Sequence, residues 1–252
     1  MHLTQFLILE AGPECNYADR HPQCPIKEPS RFSGLDTSRR LDEDTMVDLA
    51  VRAHREFGFR GLVGFHHYNE PMLYKDLILR VIGRVRQQVP HARFVLWSNG
   101  SLIAPDNAHE LNAFDLAVIT NYDQRDFSFL RPHVKRLWYA PVAFDGRRRL
   151  PPCLSRKRCV RLFTEFIVDC YGNVHICCID WQGKASPGNV FTTSLAELVR
   201  RFVEVRGSIA GRQMEASAPP VCLTCTRRWS RIDRFTPEIK RDAQAAVAKL
   251  FE

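Results

Sequence analysis

No apolar run in this 252-residue chain approaches the roughly 20 residues that span a bilayer. A membrane-spanning helix is therefore not expected. The first apolar stretch, Leu3 to Leu9, has no basic segment ahead of it and no small-residue cleavage site after it, so the chain reads as cytoplasmic rather than secreted. No internal repeat or low-complexity tract is present, which argues against solenoids and disordered arrays. The nine cysteines are odd in number and unevenly placed, unlike a secreted disulfide scaffold. Basic runs occur at Arg147 to Arg149, Arg156 to Arg158 and Arg227-Arg228, and the net charge is +8. No aromatic residues interleave these runs, so they read as solvated surface and nucleic acid is not an expected partner.

What is present is a pattern of short apolar segments alternating with amphipathic ones. Strands are expected at Leu3 to Glu10, Gly61 to Phe65, Phe94 to Trp97, Leu116 to Thr120 and Val134 to Ala140. Helices are expected at Asp42 to Gly58, where Met46, Leu49, Ala50, Ala53 and Phe57 keep a 3.6 period, at Leu73 to Val89, and over the short segment Ala104 to Leu111. Such alternation predicts an α/β fold with a parallel sheet. Chemistry in such sheets sits in loops beyond the strand C-termini. Those loops are Glu10 to Thr37, His66 to Pro71, Ser98 to Ser101 and Asn121 to Asp123. An Arg- and Pro-rich linker, Phe144 to Arg158, then separates a barrel-like part, residues 1–145, from a smaller part, residues 146–252. The smaller part reads as a hairpin turning at Gly172, a helix from Ser194 to Val205 with a Ser194/Glu197 capping box, and a last helix from Pro237 to Phe251.

Seven of the nine cysteines lie between positions 153 and 225. Cys222-x-x-Cys225 can clamp one metal with two thiolates. Cys159, before the hairpin, and Cys177 or Cys178, at its end, could complete a four-thiolate set. On ligand chemistry alone, a structural zinc and an iron–sulfur cluster are equally acceptable.

The run Asp169-Cys-Tyr-Gly-Asn-Val-His-Ile-Cys177-Cys178-Ile-Asp180-Trp181, then Gly188-Asn189-Val190, Ser194-Leu-Ala-Glu197 and Pro220-Val-Cys222-Leu-Thr-Cys225 resembles the SPASM/twitch domain of radical S-adenosylmethionine (SAM) enzymes. The resemblance implies an auxiliary [4Fe–4S] cluster on Cys159, Cys177, Cys222 and Cys225. It places Cys178 on the opposite face of its strand, where neighbouring side chains alternate. A hairpin with one cluster resembles the shorter twitch form. Size and cysteine layout are similar to the 2-deoxy-scyllo-inosamine dehydrogenase group of aminoglycoside biosynthesis.

The N-terminal half is similar to a radical SAM partial (βα)6-type barrel. That family opens with C-x3-C-x2-C, whose thiolates hold a second [4Fe–4S] cluster that binds SAM. Here Cys15-Asn16 and Cys24-Pro25 match the ends of that motif, while His21 stands where the middle cysteine would be. Three readings stay open: ligation by Cys15, His21 and Cys24; two thiolates with an outside ligand; or a lost cluster. An imidazole ligand raises cluster potentials, which opposes SAM reduction. Asn69-Glu70-Pro71 resembles the family's Gly-Glu-Pro segment, and Ser98-Asn99-Gly100 its Thr-Asn-Gly segment. The resemblance thus implies SAM binding near Glu70, Ser98 and Asn99. His66, His67 and Tyr68 are additions to that loop that could contact substrate, move a proton or ligate metal.

The expectation is a radical SAM oxidoreductase. It would take a small sugar- or aminocyclitol-like substrate and electrons from an external flavodoxin- or ferredoxin-like donor. The alternatives are a peptide-modifying SPASM enzyme and a non-catalytic iron–sulfur or zinc relic of the fold.

Overall fold

The computed structural model describes residues 5–20, 24–28, 30–141, 165–178 and 180–210. The linker, the last helix, and His21, Cys153, Cys159, Cys222 and Cys225 lie outside the described residues.

Strand β1 (Phe6–Leu9) is followed by a long loop and helix α1 (Glu43–Phe57). The Asp42 carboxylate caps α1 by accepting from the Thr45 amide at 2.8 Å. Gly58 ends it with φ +61°. Strand β2 (Leu62–Gly64) leads through a 3-10 turn, Pro71–Tyr74, to helix α2 (Lys75–Gln88). Then come β3 (Arg93–Ser98), a second 3-10 segment at Ala108–Ala113, β4 (Leu116–Asn121) and β5 (Arg136–Pro141). Beyond the linker lie β6 (Glu165–Val168), β7 (Asn173–His175), β8 (Gly188–Asn189) and helix α3 (Leu195–Ala210).

Among the described residues these strands make one open, eight-stranded sheet in the order β5-β4-β3-β2-β1-β6-β7-β8. The first six positions are mutually parallel. The strands β6, β7 and β8 are antiparallel neighbours. Strand β6 therefore has two roles: it is the sixth parallel strand, paired with β1 from Phe6↔Glu165 to Leu9↔Val168, and the first strand of the hairpin.

Alternation along the strands sorts the two faces. Leu7, Leu9, Val63, Phe65, Phe94, Leu96, Ala117 and Ile119 join Met46, Ala50, Val81, Ile82 and Phe202 of the helices in the main core. The other face carries a smaller cluster, Leu62, Val95, Leu116 and Val118, backed by Phe6.

Two expectations changed in detail. The helix expected from Leu73 begins at Lys75, because Pro71 starts a 3-10 turn ahead of it and the Glu70 carboxylate accepts from the Met72 amide at 3.0 Å. Strand β7 stops at His175, so Cys177 and Cys178 lie in a turn and strand alternation does not sort them. Cys177 is buried at the edge of the main core, and Cys178 is half-buried.

Candidate functional site

Three loops meet beyond the C-terminal ends of β1, β2 and β6, and Glu10 joins them. It is fully buried, directly after β1. Its carboxylate accepts from Arg31 Nη2 at 2.5 Å, from the Tyr68 amide at 3.0 Å and from the Cys170 amide at 3.2 Å. A buried charge of this kind persists only when paired and hydrogen-bonded. Glu10 and Arg31 meet both conditions for each other, and in doing so tie the loop after β1 to the loop after β2 and to the hairpin turn.

Glu70 organises a second cluster. Its Oε1 accepts from Ser98 Oγ at 2.7 Å and its Oε2 from the Asn99 amide at 2.8 Å. Burial pushes its carboxyl pKa up, against the lowering effect of the bonds from Asn99, Ser98 and Met72. The Asn99 side chain donates to Asn16 Oδ1 at 2.9 Å, and Asn16 donates to Ser101 Oγ at 2.7 Å. The Glu70 amide donates to the Glu14 carbonyl at 3.0 Å. Cys15 thus stands among Asn16, Glu70 and Asn99. Its thiol pKa is pushed up by burial first, and further by the negative charges of Glu70 and Cys24. Among the described residues, no lysine or arginine charge acts on it to stabilise the free thiolate, so it is not an activated nucleophile by itself, whereas a bound iron would stabilise the thiolate as a ligand.

The structure therefore gathers Cys15, Cys24, Glu70, Ser98 and Asn99, the N-terminal residues singled out in the sequence. Among the described residues, however, no group of three or more His, Cys, Asp or Glu side chains is assembled for a metal. The two thiols fit an iron–sulfur cluster as part of a ligand set, and the third position, at His21, lies outside the described residues.

The hairpin is held by its own polar network. Asp169 accepts from the Tyr171 and Asn173 amides, each at 2.9 Å, and faces His175 Nε2 at 2.9 Å. His175 Nδ1 faces the Asp180 carbonyl at 2.7 Å. Both ring nitrogens thus face acceptors, which suits the doubly protonated imidazolium. Burial works against that charge, but the Asp169 carboxylate raises the pKa overall. The Asp180 carboxylate accepts from the Lys184 and Ala185 amides at 2.9 and 3.0 Å. Asn189 donates to the Tyr171 carbonyl at 2.9 Å. The residues surrounding the family cysteines in sequence are thus a scaffold that fixes the turn bearing Cys177 and Cys178. Cys170, in the hairpin turn, is buried beside Glu10 and Asp169, and its thiol pKa is driven far up by burial and those two charges. It is an inert thiol.

Residues 159–226 match the model of the SPASM iron–sulfur cluster-binding domain. That span begins at Cys159 and closes one residue beyond Cys225, so all four expected auxiliary ligands fall within it. The chain superimposes on a crystal structure of BtrN in complex with AdoMet and 2-DOIA, with TM-score 0.57 and 19% identity over 82% of this chain and 87% of that chain. A selenomethionine BtrN structure in an open conformation matches with TM-score 0.56 and 19% identity over 82% and 85% of the two chains. The chain carries a match to the SPASM domain over residues 159–226 and shares its fold with the BtrN structures. At this identity the BtrN match is a likeness of fold. Among curated proteins, no sequence matches the chain significantly. Among the described residues, no helix is long and apolar enough to cross a membrane.

Sequence reasoning missed the Glu10–Arg31 pair. One signal was available: a glutamate that directly ends an apolar strand needs a buried cation. Nothing marked Arg31, among several loop arginines, as that cation.

Proposed function

We propose that this chain is a radical SAM oxidoreductase acting on a small sugar- or aminocyclitol-like molecule. The observation that carries this reading is the convergence of Cys15, Cys24, Glu70, Ser98 and Asn99 beyond the parallel strands, on a chain whose SPASM domain supplies a second set of thiols. Cys15 and Cys24, with His21 as the third position, are the proposed ligands of an N-terminal [4Fe–4S] cluster. Cys159, Cys177, Cys222 and Cys225 are the proposed ligands of the auxiliary one. Reduced and bound to SAM, the first cluster would supply a 5′-deoxyadenosyl radical that removes a substrate hydrogen atom.

The chain's own residues bind, orient and shield. Glu70 gives its carboxylate to Ser98, Asn99 and Met72, so its role is to position the loops that receive SAM. Asn16 and Ser101 hold the Asn99 side chain in one rotamer. The Glu10–Arg31 pair locks the loop carrying Cys15 onto the hairpin. The auxiliary thiols would place an electron acceptor across the substrate cavity, which favours net oxidation. An external flavodoxin- or ferredoxin-like donor is the proposed reductant.

One observation favours a second reading. The motif has histidine where the family has its middle cysteine, and a non-catalytic relic with only the auxiliary cluster would tolerate that change. Iron and sulfide counts after anaerobic reconstitution separate the two. Two clusters require about eight irons per chain. A count near four removes the N-terminal cluster, and zinc without iron removes both.

A further inference from the structure

The loop that carries Cys15 is tied to more of the molecule than Glu70 and Asn99. Five residues separate Cys15 from His21, and three of them reach other loops. Asn16 donates to Ser101 Oγ and accepts from the Asn99 side chain. The Tyr17 hydroxyl donates to Asp123 Oδ2, and Arg20 Nη1 donates to Asp123 Oδ1 at 3.1 Å. The Arg20 guanidinium carbon lies 4.9 Å from the centre of the Tyr17 ring, whose other neighbour is the Tyr122 ring at 6.0 Å. Tyr17 is buried.

Asp123 belongs to the loop after β4, and that loop is itself closed. The Asn121 side chain accepts from the Arg125 amide at 3.0 Å and donates to the Arg125 carbonyl at 2.7 Å. Gln124, between Asp123 and Arg125, has φ +54° and is the one non-glycine residue with positive φ among the described residues. That backbone region is disfavoured for L residues and persists where surrounding bonds over-determine it. Arg125 supplies such bonds. Its guanidinium donates to the carbonyls of Gly100 at 3.0 Å, Ser101 at 3.3 Å and Ile103 at 2.7 Å, all in the loop after β3. From there Ser101 and Asn99 lead back to Asn16. The loops after β1, β3 and β4 thus form one closed circuit of hydrogen bonds, with Cys15 at its start.

We infer that Tyr17, Asp123 and Arg125 are positioning residues for Cys15: the circuit holds the Tyr17 amide where it donates to the Cys15 sulfur of the N-terminal cluster. The Tyr17 nitrogen is 3.4 Å from Cys15 Sγ. Hydrogen bonds to the sulfurs help set a cluster's reduction potential. They raise it, because a donor stabilises the reduced cluster, which carries one more negative charge, more than the oxidised one. The amide keeps that place only while its own side chain is anchored, and Asp123 is the anchor. Asp123 in turn depends on Arg125, which fixes the turn through Gln124 and fastens it to the loop of Asn99.

This role rests on the proposed enzymatic reading, but its test needs no turnover. The anaerobically reconstituted full chain is titrated potentiometrically, with each cluster followed by electron paramagnetic resonance. Tyr17→Phe keeps the aromatic ring and the net charge and removes the bond to Asp123. Its N-terminal cluster is expected at a more negative midpoint potential than in the wild type, with iron content and the auxiliary cluster's potential unchanged. Arg125→Lys keeps the charge, but one ammonium cannot replace the guanidinium fork on three carbonyls. It should move the same potential in the same direction, so the test survives if Tyr17→Phe misfolds. A closed circuit also predicts coupling. Once one link is open, opening another costs little, so the unfolding midpoint of the Tyr17→Phe/Arg125→Lys double variant should fall by less than the two single falls together. Additive falls, or an N-terminal potential equal to the wild type's in folded variants that carry both clusters, would each overturn the role alone. A wild-type chain that takes up only the auxiliary cluster would sink the enzymatic reading, and this role with it.

Discussion

A single buried carboxylate can do more than a nearby thiol to make a cofactor site. Glu70 satisfies three donors from two loops. Removing it leaves those donors buried and unpaired, at about 1–3 kcal/mol each before relaxation. Glu70→Ala is therefore expected to lower stability by about 2–4 kcal/mol and to weaken SAM binding at least tenfold, read by denaturant melts and equilibrium dialysis. Glu70→Gln, which keeps an acceptor oxygen, should recover much of the stability. His66 makes a second prediction. Burial depresses its pKa to about 4 from an ordinary value of 6.5. The unfolded chain then takes up this proton below about pH 6.5 while the native chain resists it, so native stability falls as pH drops from about 6.5 to 4. The full shift corresponds to about 3 kcal/mol, and part-exposure of the residue brings the expected loss nearer 2. His66→Phe should lose that share of the acid sensitivity, seen as a shallower decline of the unfolding midpoint between pH 7 and 4.5. An equal slope in both proteins would contradict the burial. At this scale the sequence was readable where a residue ends an apolar strand, as with Ser98-Asn99. It was not readable where burial depends on a distant loop, as with Arg31.

Elements with strong local rules were legible in the sequence, and those governed by competing rules were not. Helix α1 lies within its expected bounds because Asp42 and Gly58 mark both ends in local code. The segment expected as a helix over Ala104 to Leu111 instead forms 3-10 turns over Ala108–Ala113, because the Asn107 side chain accepts from the Ala104 amide and donates to the Leu102 carbonyl, closing a local turn first. The hairpin was legible from its glycine. Gly172 has φ +83°, and a Cβ there would stand 2.8 Å from the Phe191 ring. Gly172→Val is expected to cost about 2 kcal/mol or more, from the disfavoured backbone region and the clash with Phe191. If the hairpin presents the auxiliary ligand Cys177, iron content should also fall, by about four per chain. Full iron loading in a destabilised Gly172→Val protein would separate the hairpin from the cluster.

In the whole molecule, β6 connects the two proposed cluster sites. It hydrogen-bonds to β1, which leads into Cys15, and turns into β7, which leads into Cys177. The parallel sheet was legible from alternation of apolar strands and helices. The sharing of β6 was not, since pairing across more than 150 residues is a tertiary choice that no local pattern encodes. That sharing fixes the hairpin against the mouth of the sheet, with the loop of His66, His67 and Tyr68 between them. The central claim is that this arrangement cleaves SAM despite histidine at position 21. Its most direct test is the 5′-deoxyadenosine formed from SAM by the anaerobically reconstituted, dithionite-reduced chain, quantified by liquid chromatography against a control without protein and against Cys15→Ala. The expected result is 5′-deoxyadenosine above the control, abolished by Cys15→Ala. A yield no greater than the control, from protein carrying both clusters, would contradict it.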